Sequence, residues 1–182
     1  MLLRTLIVYL EEHITVHLHK LVGTLCRCAN GLSAEWSREC TALVCKFVPV
    51  DSFVALVLPI VNMDVDGAKG LRLGGCGGNT RARALVVLSE IVRGVKRQRL
   101  APHAADIAAC LGGDLDAAET RDALERSEYL KCARAFGDKF QGKAEFVNDK
   151  TGRLVSLRTG VGKLLECVER ARMLGVKDAE VG

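Results

Sequence analysis

The chain is 182 residues long, 49% hydrophobic but only 4% aromatic, and carries a formal net charge of +4. Its length allows one ordinary domain with a sizeable core, and a core short of rings must be built from Leu, Val and Ala, which suits packed helices better than a β-sandwich. The charge is too mild to point to nucleic acid by itself, and the longest apolar run, Phe53 to Val61, is about half of what a membrane span needs.

Residues 2–12 read as an apolar helix ending near Glu11-Glu12-His13. The opening MLLRTLIVYLEE imitates a secretion signal, but Arg4 and Thr5 interrupt its apolar part and no small-residue cleavage site follows. Residues 14–29, ITVHLHKLVGTLCRCA, form a second helix, which Asn30-Gly31 stops because glycine accepts the left-handed conformation. Ser33 starts a third helix as an N-cap, with Glu35 as an early acid. It runs to about Phe47 and stops ahead of Pro49. Asp51 caps a fourth helix, SFVALVLPIVNM. All three prolines, Pro49, Pro59 and Pro102, sit near the edges of helical runs, where the missing N–H costs least.

A glycine-rich loop from Asp64 to Gly78 follows, and Asn79 or Thr80 caps a fifth helix, RARALVVLSEIVRGVKRQ. Residues 101–111 form a sixth, with Pro102 in its first turn. Asp114 to Asp116 connect it to a seventh over 117–137. The segment from Ala144 to Arg158 breaks the helical pattern, because two short runs flank Asn-Asp-Lys-Thr-Gly, which is hairpin chemistry. A last helix covers 160–174.

Three of these helices carry the same comb. Ser37, Cys40, Thr41, Leu43, Val44 and Phe47 share their offsets with Arg81, Ala84, Leu85, Val87, Leu88 and Ile91, and again with Arg126, Tyr129, Leu130, Cys132, Ala133 and Phe136. The starting residues lie 44 and then 45 positions apart, known to within one helical turn because an amphipathic comb slides by three or four residues. Another apolar helical run precedes the second and the third comb. A period of ~40–47 residues made of paired helices is the mark of HEAT and armadillo solenoids, and such folds bind partners along a surface and seldom catalyse anything. The first and last helices lack polar caps, as expected of a piece of a longer array or of an array that stacks on a partner.

The stretch Thr80-Arg81-Ala82-Arg83-Ala84-Leu85-Val86-Val87-Leu88 resembles the second helix of HEAT repeats, in which an apolar or small residue and an arginine precede Ala and Leu. The general resemblance covers residues 1–137. LRTLIVYLEEHITVHLHKLVGTLCRCAN at 3–30 and CKFVPVDSFVALVLPIV at 45–61 are similar to the HEAT-repeat assembly factors of axonemal dyneins. That resemblance implies a cytoplasmic protein that helps preassemble dynein arms for motile cilia and flagella, with dynein subunits or co-chaperone assembly factors as partners. The chain departs from the pattern at Ser37, where arginine is expected, in the long glycine loop, and in the hairpin segment.

Other motifs weaken on inspection. Asn62-Met63-Asp64-Val65-Asp66-Gly67 opens like a calcium loop, but Leu73 stands where a bidentate glutamate is required and Lys69 where an apolar residue belongs. GLRLGGCGGNT at 70–80 ends without the Gly-Lys-Ser/Thr of a phosphate loop and follows a helix instead of a strand. His13, His17, His19, Cys26 and Cys28 cluster, but on a regular helix His19 is turned about 200° from His17 and Cys28 equally from Cys26, so one tetrahedral zinc cannot use both members of either pair. Six of the eight cysteines, at 26, 28, 40, 45, 76, 110, 132 and 167, lie in apolar helical runs and read as small buried hydrophobes in a reducing compartment. Cys45 or Cys76 as a nucleophile lacks an evident base, His103 being the one histidine outside the amino-terminal cluster.

Basic residues concentrate at Arg93, Lys96, Arg97 and Arg99, and with Arg81 and Arg83 they outline a basic stripe. Cations near a helix C-terminus are favoured by its dipole. The same residues would also serve as a docking surface for an acidic partner. The sequence therefore predicts an all-α fold: a single domain over 1–182, an α-α superhelix of about three HEAT-like helix pairs with a small β-hairpin near 144–158. The expected function is that of a non-catalytic cytoplasmic scaffold without cofactor, metal or membrane span, which binds proteins along the solenoid face. The alternative is a nucleic-acid-binding helical repeat that uses the basic stripe, which the scarcity of aromatics for stacking disfavours.

Overall fold

The computed structural model describes residues 5, 11–29, 31–62, 80–112, 123–140, 146–148 and 154–156. Most of the expected first helix, the glycine loop with its calcium-like and phosphate-like motifs, Cys76, the connection at 114–116, Cys167 and the expected last helix lie outside the described residues. Seven α-helices are described: α1 Leu18–Cys28, α2 Ala34–Phe47, α3 Val50–Val61, α4 Thr80–Gly94, α5 Arg97–Leu100, α6 Ala104–Gly112 and α7 Ala123–Phe140. Two strands, β1 Phe146–Asn148 and β2 Leu154–Ser156, pair antiparallel with Val147 opposite Val155, so the hairpin expected at 144–158 forms.

The helix ends show where local chemistry decides and where packing does. Gly31 has φ +68°, the left-handed conformation expected of a helix stop. Ahead of α1, residues Glu11–His17 form a 3₁₀ helix, so the second expected helix begins as a tighter coil. Ser33 occupies the N-cap position of α2, yet its side chain makes no capping hydrogen bond; a short 3₁₀ turn, Gly31–Ser33, leads in instead. Asp51 is not the cap of α3: Pro49 holds that position, Asp51 lies in the first turn, and its carboxylate turns to His103 Nε2 at 2.5 Å. Helix α4 ends at Gly94, four residues short of the expected run, and Lys96 is extended at φ −59°, ψ 140°. Chain direction then resets through α5 and the 3₁₀ turn Ala101–His103, which carries Pro102 in its first turn. Helix α7 passes through Gly137 to Phe140, because Phe136 and Phe140 bury their rings 4.8 Å apart and the packing outweighs the glycine.

Helix α4 is the hub. It packs most extensively on α7 and also on α3, α2 and α1. Nine of its fifteen residues are buried, Ala82, Ala84, Leu85, Val86, Val87, Leu88, Ser89, Ile91 and Val92, which is far more than one face. The three combs therefore stack side by side on α2, α4 and α7, while α1, α3 and α6 pack along the chain behind them. The apolar comb residues from Cys40 to Phe136 lie in or against one continuous hydrophobic core, as stacking of helix pairs requires. Ser37 explains its own departure from arginine: it is 1% exposed, and its Oγ donates to the Leu25 carbonyl of α1 at 2.9 Å, so the hydroxyl bridges two helices where a guanidinium would find no room. Among the described residues no helix is long and apolar enough to cross a membrane.

Leu88→Ala, which removes a fully buried side chain of α4, is expected to lower the unfolding free energy by about 2–5 kcal/mol in urea titration. Leu32→Ser, at a fully exposed site, is expected to change it by less than about 0.5 kcal/mol.

Candidate functional site

The six predicted basic residues divide between the two ends of α4. Arg81 and Arg83 lie in its first turn. The Arg81 side chain is 14% exposed and pairs with Glu125 of α7 at 3.5 Å. Arg83 Nη1 donates at 2.6 Å to the Arg27 carbonyl in the last turn of α1. Arg93, Lys96, Arg97 and Arg99 gather at the opposite end, around the α4–α5 turn. The Arg97 guanidinium lies over the Phe140 ring, 5.6 Å from its centre. Arg99 Nη2 approaches the Val48 carbonyl beyond α2 at 3.4 Å. Arg93 is half exposed and pairs with Glu90 at 3.1 Å, and Glu90 also reaches Arg38 of α2 at 3.9 Å.

One device recurs in these contacts. The last carbonyls of a helix have no partner within it. Arg83 covers such a carbonyl at the end of α1, Arg99 one just beyond α2, and Lys139 Nζ of α7 binds the Arg93 carbonyl at 3.0 Å and the Val95 carbonyl at the end of α4. Each donor lies between 44 and 56 residues further along the chain than its acceptor. Cations do complete helix C-termini here, as the dipole favours, but the helix completed belongs to the preceding pair. Burial at this seat holds the Lys139 ammonium below the ordinary lysine range.

The Arg81–Glu125 pair joins the amino-terminal turns of α4 and α7, and Lys139 joins their carboxy-terminal turns, so the two helices run in the same direction. Helix α7 buries Tyr129, Leu130, Cys132, Ala133, Phe136 and Phe140 on one side. Its other side presents Lys131, Arg134, Ala135 and Asp138, spaced as one helical stripe. With Arg93 and Lys139 these residues line a groove of about 430 Å³. Lys131 also pairs with Glu128 one turn back at 2.8 Å. The sequence reading missed Lys131, Arg134 and Lys139. The available signal was the same helical spacing that revealed the third comb, read on the opposite face.

A family model described as Dynein axonemal assembly factor 5, HEAT-repeat domain, matches residues 1–151. The chain belongs to this family. Neither the curated proteins nor the solved structures contain a match to it. The HEAT-repeat match spans α1 to α7 and β1, which makes the stacked pairs a repeat scaffold for protein interaction.

Chemistry at the remaining polar and thiol groups is subdued. Burial pushes the Cys45 thiol up to about 12, and the charged groups acting on it are Arg99, Glu90 and Lys139, not His103. Burial raises Cys132 as well, so at neutral pH both stay protonated and poorly nucleophilic. His13, His17 and His19 are exposed while Cys26 is buried, and among the described residues no group of three His, Cys, Asp or Glu gathers to hold a metal. His103 is engaged with Asp51, tying the first turn of α3 to the turn before α6.

Arg83→Met keeps most of the side-chain volume and removes the donor to Arg27. It is expected to lower stability by about 1–3 kcal/mol, the cost of stripping a charged partner from a part-buried carbonyl. Urea denaturation compared with Arg99→Met, whose bond is longer at 3.4 Å, should show the larger loss for Arg83.

Proposed function

We propose that this chain is a non-catalytic, cytoplasmic protein-binding scaffold for the preassembly of axonemal dynein arms, serving motile cilia or flagella. The observation that carries the reading is the family match over residues 1–151, which coincides with the helix pairs fused around α4. Dynein subunits or the co-chaperone factors that mature them are the partners this role implies. A rigid array of helices suits the task, because it offers an extended face without having to fold upon binding.

The nucleic-acid alternative is the weaker one. Arg81, Arg83 and Arg99 contact a carboxylate or carbonyls of the protein itself, which leaves less of the stripe for a phosphate backbone, and the cations lack the interleaved aromatics that stack bases.

Deleting the gene in a flagellated host should leave flagella that assemble but lack dynein arms in electron micrographs of axoneme cross-sections, with motility lost. A tagged copy should restore the arms while residing in the cell body and not in the axoneme. A full complement of arms in the deletion strain would contradict the proposal.

A further inference from the structure

We propose that the outer arc of α2 is a self-association surface, on which a second copy of this chain seats its own α2 antiparallel across a two-fold axis. Trp36, Leu43 and Phe47 form the apolar centre of the contact, and Glu35, Glu39 and Lys46 form its charged flank.

The arc is what the solenoid leaves over. Helix α2 buries Ser37, Cys40, Thr41, Val44 and Cys45. Ser37 bonds to Leu25 of α1, and Arg38 leans to Glu90 of α4, so both neighbours lie on that side. At 100° per residue, Trp36, Leu43 and Phe47 fall within about 40° of one another, away from the buried centre at Thr41. All three pack against the core and are still half open. Glu35, Glu39 and Lys46 share a second arc of about 40°, centred about 80° further round, and are exposed. Among the described residues nothing pairs with them, in contrast to the cations around α4. Glu35 and Glu39 stand one turn apart, so their like charges burden the helix until a cation arrives.

The order of these residues is self-complementary. The two acids open the stripe and the lysine closes it. In an antiparallel pair each flank meets the same flank of the other copy, as an isologous contact requires. A two-fold axis level with Cys40 and Thr41 sets Glu35 beside Lys46 of the second copy, and Glu39 beside its Ala42, which is small enough for close approach. The same axis sets Trp36 level with the gap between Leu43 and Phe47 of the second copy, a knob facing a hole. One axis thus satisfies both stripes, and every contact occurs twice. A parallel pair would set Glu35 on Glu35 and Lys46 on Lys46, which repel. Leu32, fully exposed, stands at the rim beside Pro49 of the second copy, where truncation costs little. One helix from each side is small for a permanent dimer, so a dissociation constant on the order of 1–100 μM is expected.

The test is sedimentation velocity on the full 182-residue chain at about 0.5–500 μM, which brackets that constant. Emission of Trp36, the chain's one tryptophan, is the second readout. The expected result is a monomer–dimer equilibrium, with emission shifting to the blue as the dimer forms. Glu35→Lys/Glu39→Lys and Lys46→Glu should each weaken association about tenfold or more. Mixing these two variants should restore dimers, because every reversed charge then meets its opposite, and that recovery excludes misfolding as the cause of the separate losses. A parent that stays monomeric throughout, dimers that survive both reversals, or losses that mixing does not repair would overturn the proposal. So would a monomer whose Trp36 is shielded from iodide quenching, which would assign the stripe to another part of the same chain.

Discussion

Burial of α4 on nearly every side is the constraint on which the rest of the structure depends. A surface helix buries one stripe and exposes the other; α4 has no such luxury, because α1, α2, α3 and α7 all pack on it. Removing it would part α7 from the group formed by α1, α2 and α3, each left with an uncovered apolar face. The alanines and valines of this helix fit that position. Ala82 and Ala84 let neighbours approach closely, while Val86, Val87, Leu88, Ile91 and Val92 fill the space between them. The shortage of aromatics is thus a property of the stacking, which needs small and branched side chains at many shallow crossings.

Cross-pair capping makes that stack specific. Hydrophobic combs slide by a turn at little cost, so they do not fix how one pair sits on the next. The bonds from Arg83 to Arg27, from Arg99 to Val48, and from Lys139 to Arg93 and Val95 do. Each requires a particular cation to meet a particular helix end, and a slip of one turn would break it and leave both groups unsatisfied. The same charges that look like a surface for a ligand along the sequence are in part the fasteners of the solenoid.

Much of this was legible in the sequence. The three combs fell on α2, α4 and α7 with their apolar residues in or against the core, Gly31 stopped a helix with positive φ, and the short runs expected to form a hairpin gave paired strands. Helix ends were less legible where tertiary contacts set them. Asp51 carries the chemistry of a cap but serves His103, Gly137 looks like a stop but is overridden by the Phe136–Phe140 packing, and Gly94 ends α4 where Lys139 arrives from a distant helix. The basic stripe split for the same reason. Spacing along one helix cannot reveal that Arg83 will meet a carbonyl 56 residues earlier, nor that Lys131 and Arg134 on α7 will come to face Arg93.

The central claim is that α4 joins all the helix pairs into one core. Native-state hydrogen exchange followed by mass spectrometry tests it most directly. Peptides from residues 80–94 should exchange slowest in the chain and only through global unfolding, with the protection of α2 and α7 close behind. If the amides of α4 exchange through local opening as fast as those of the 3₁₀ turn at Glu11–His17, the helix pairs are separate units and the account is wrong.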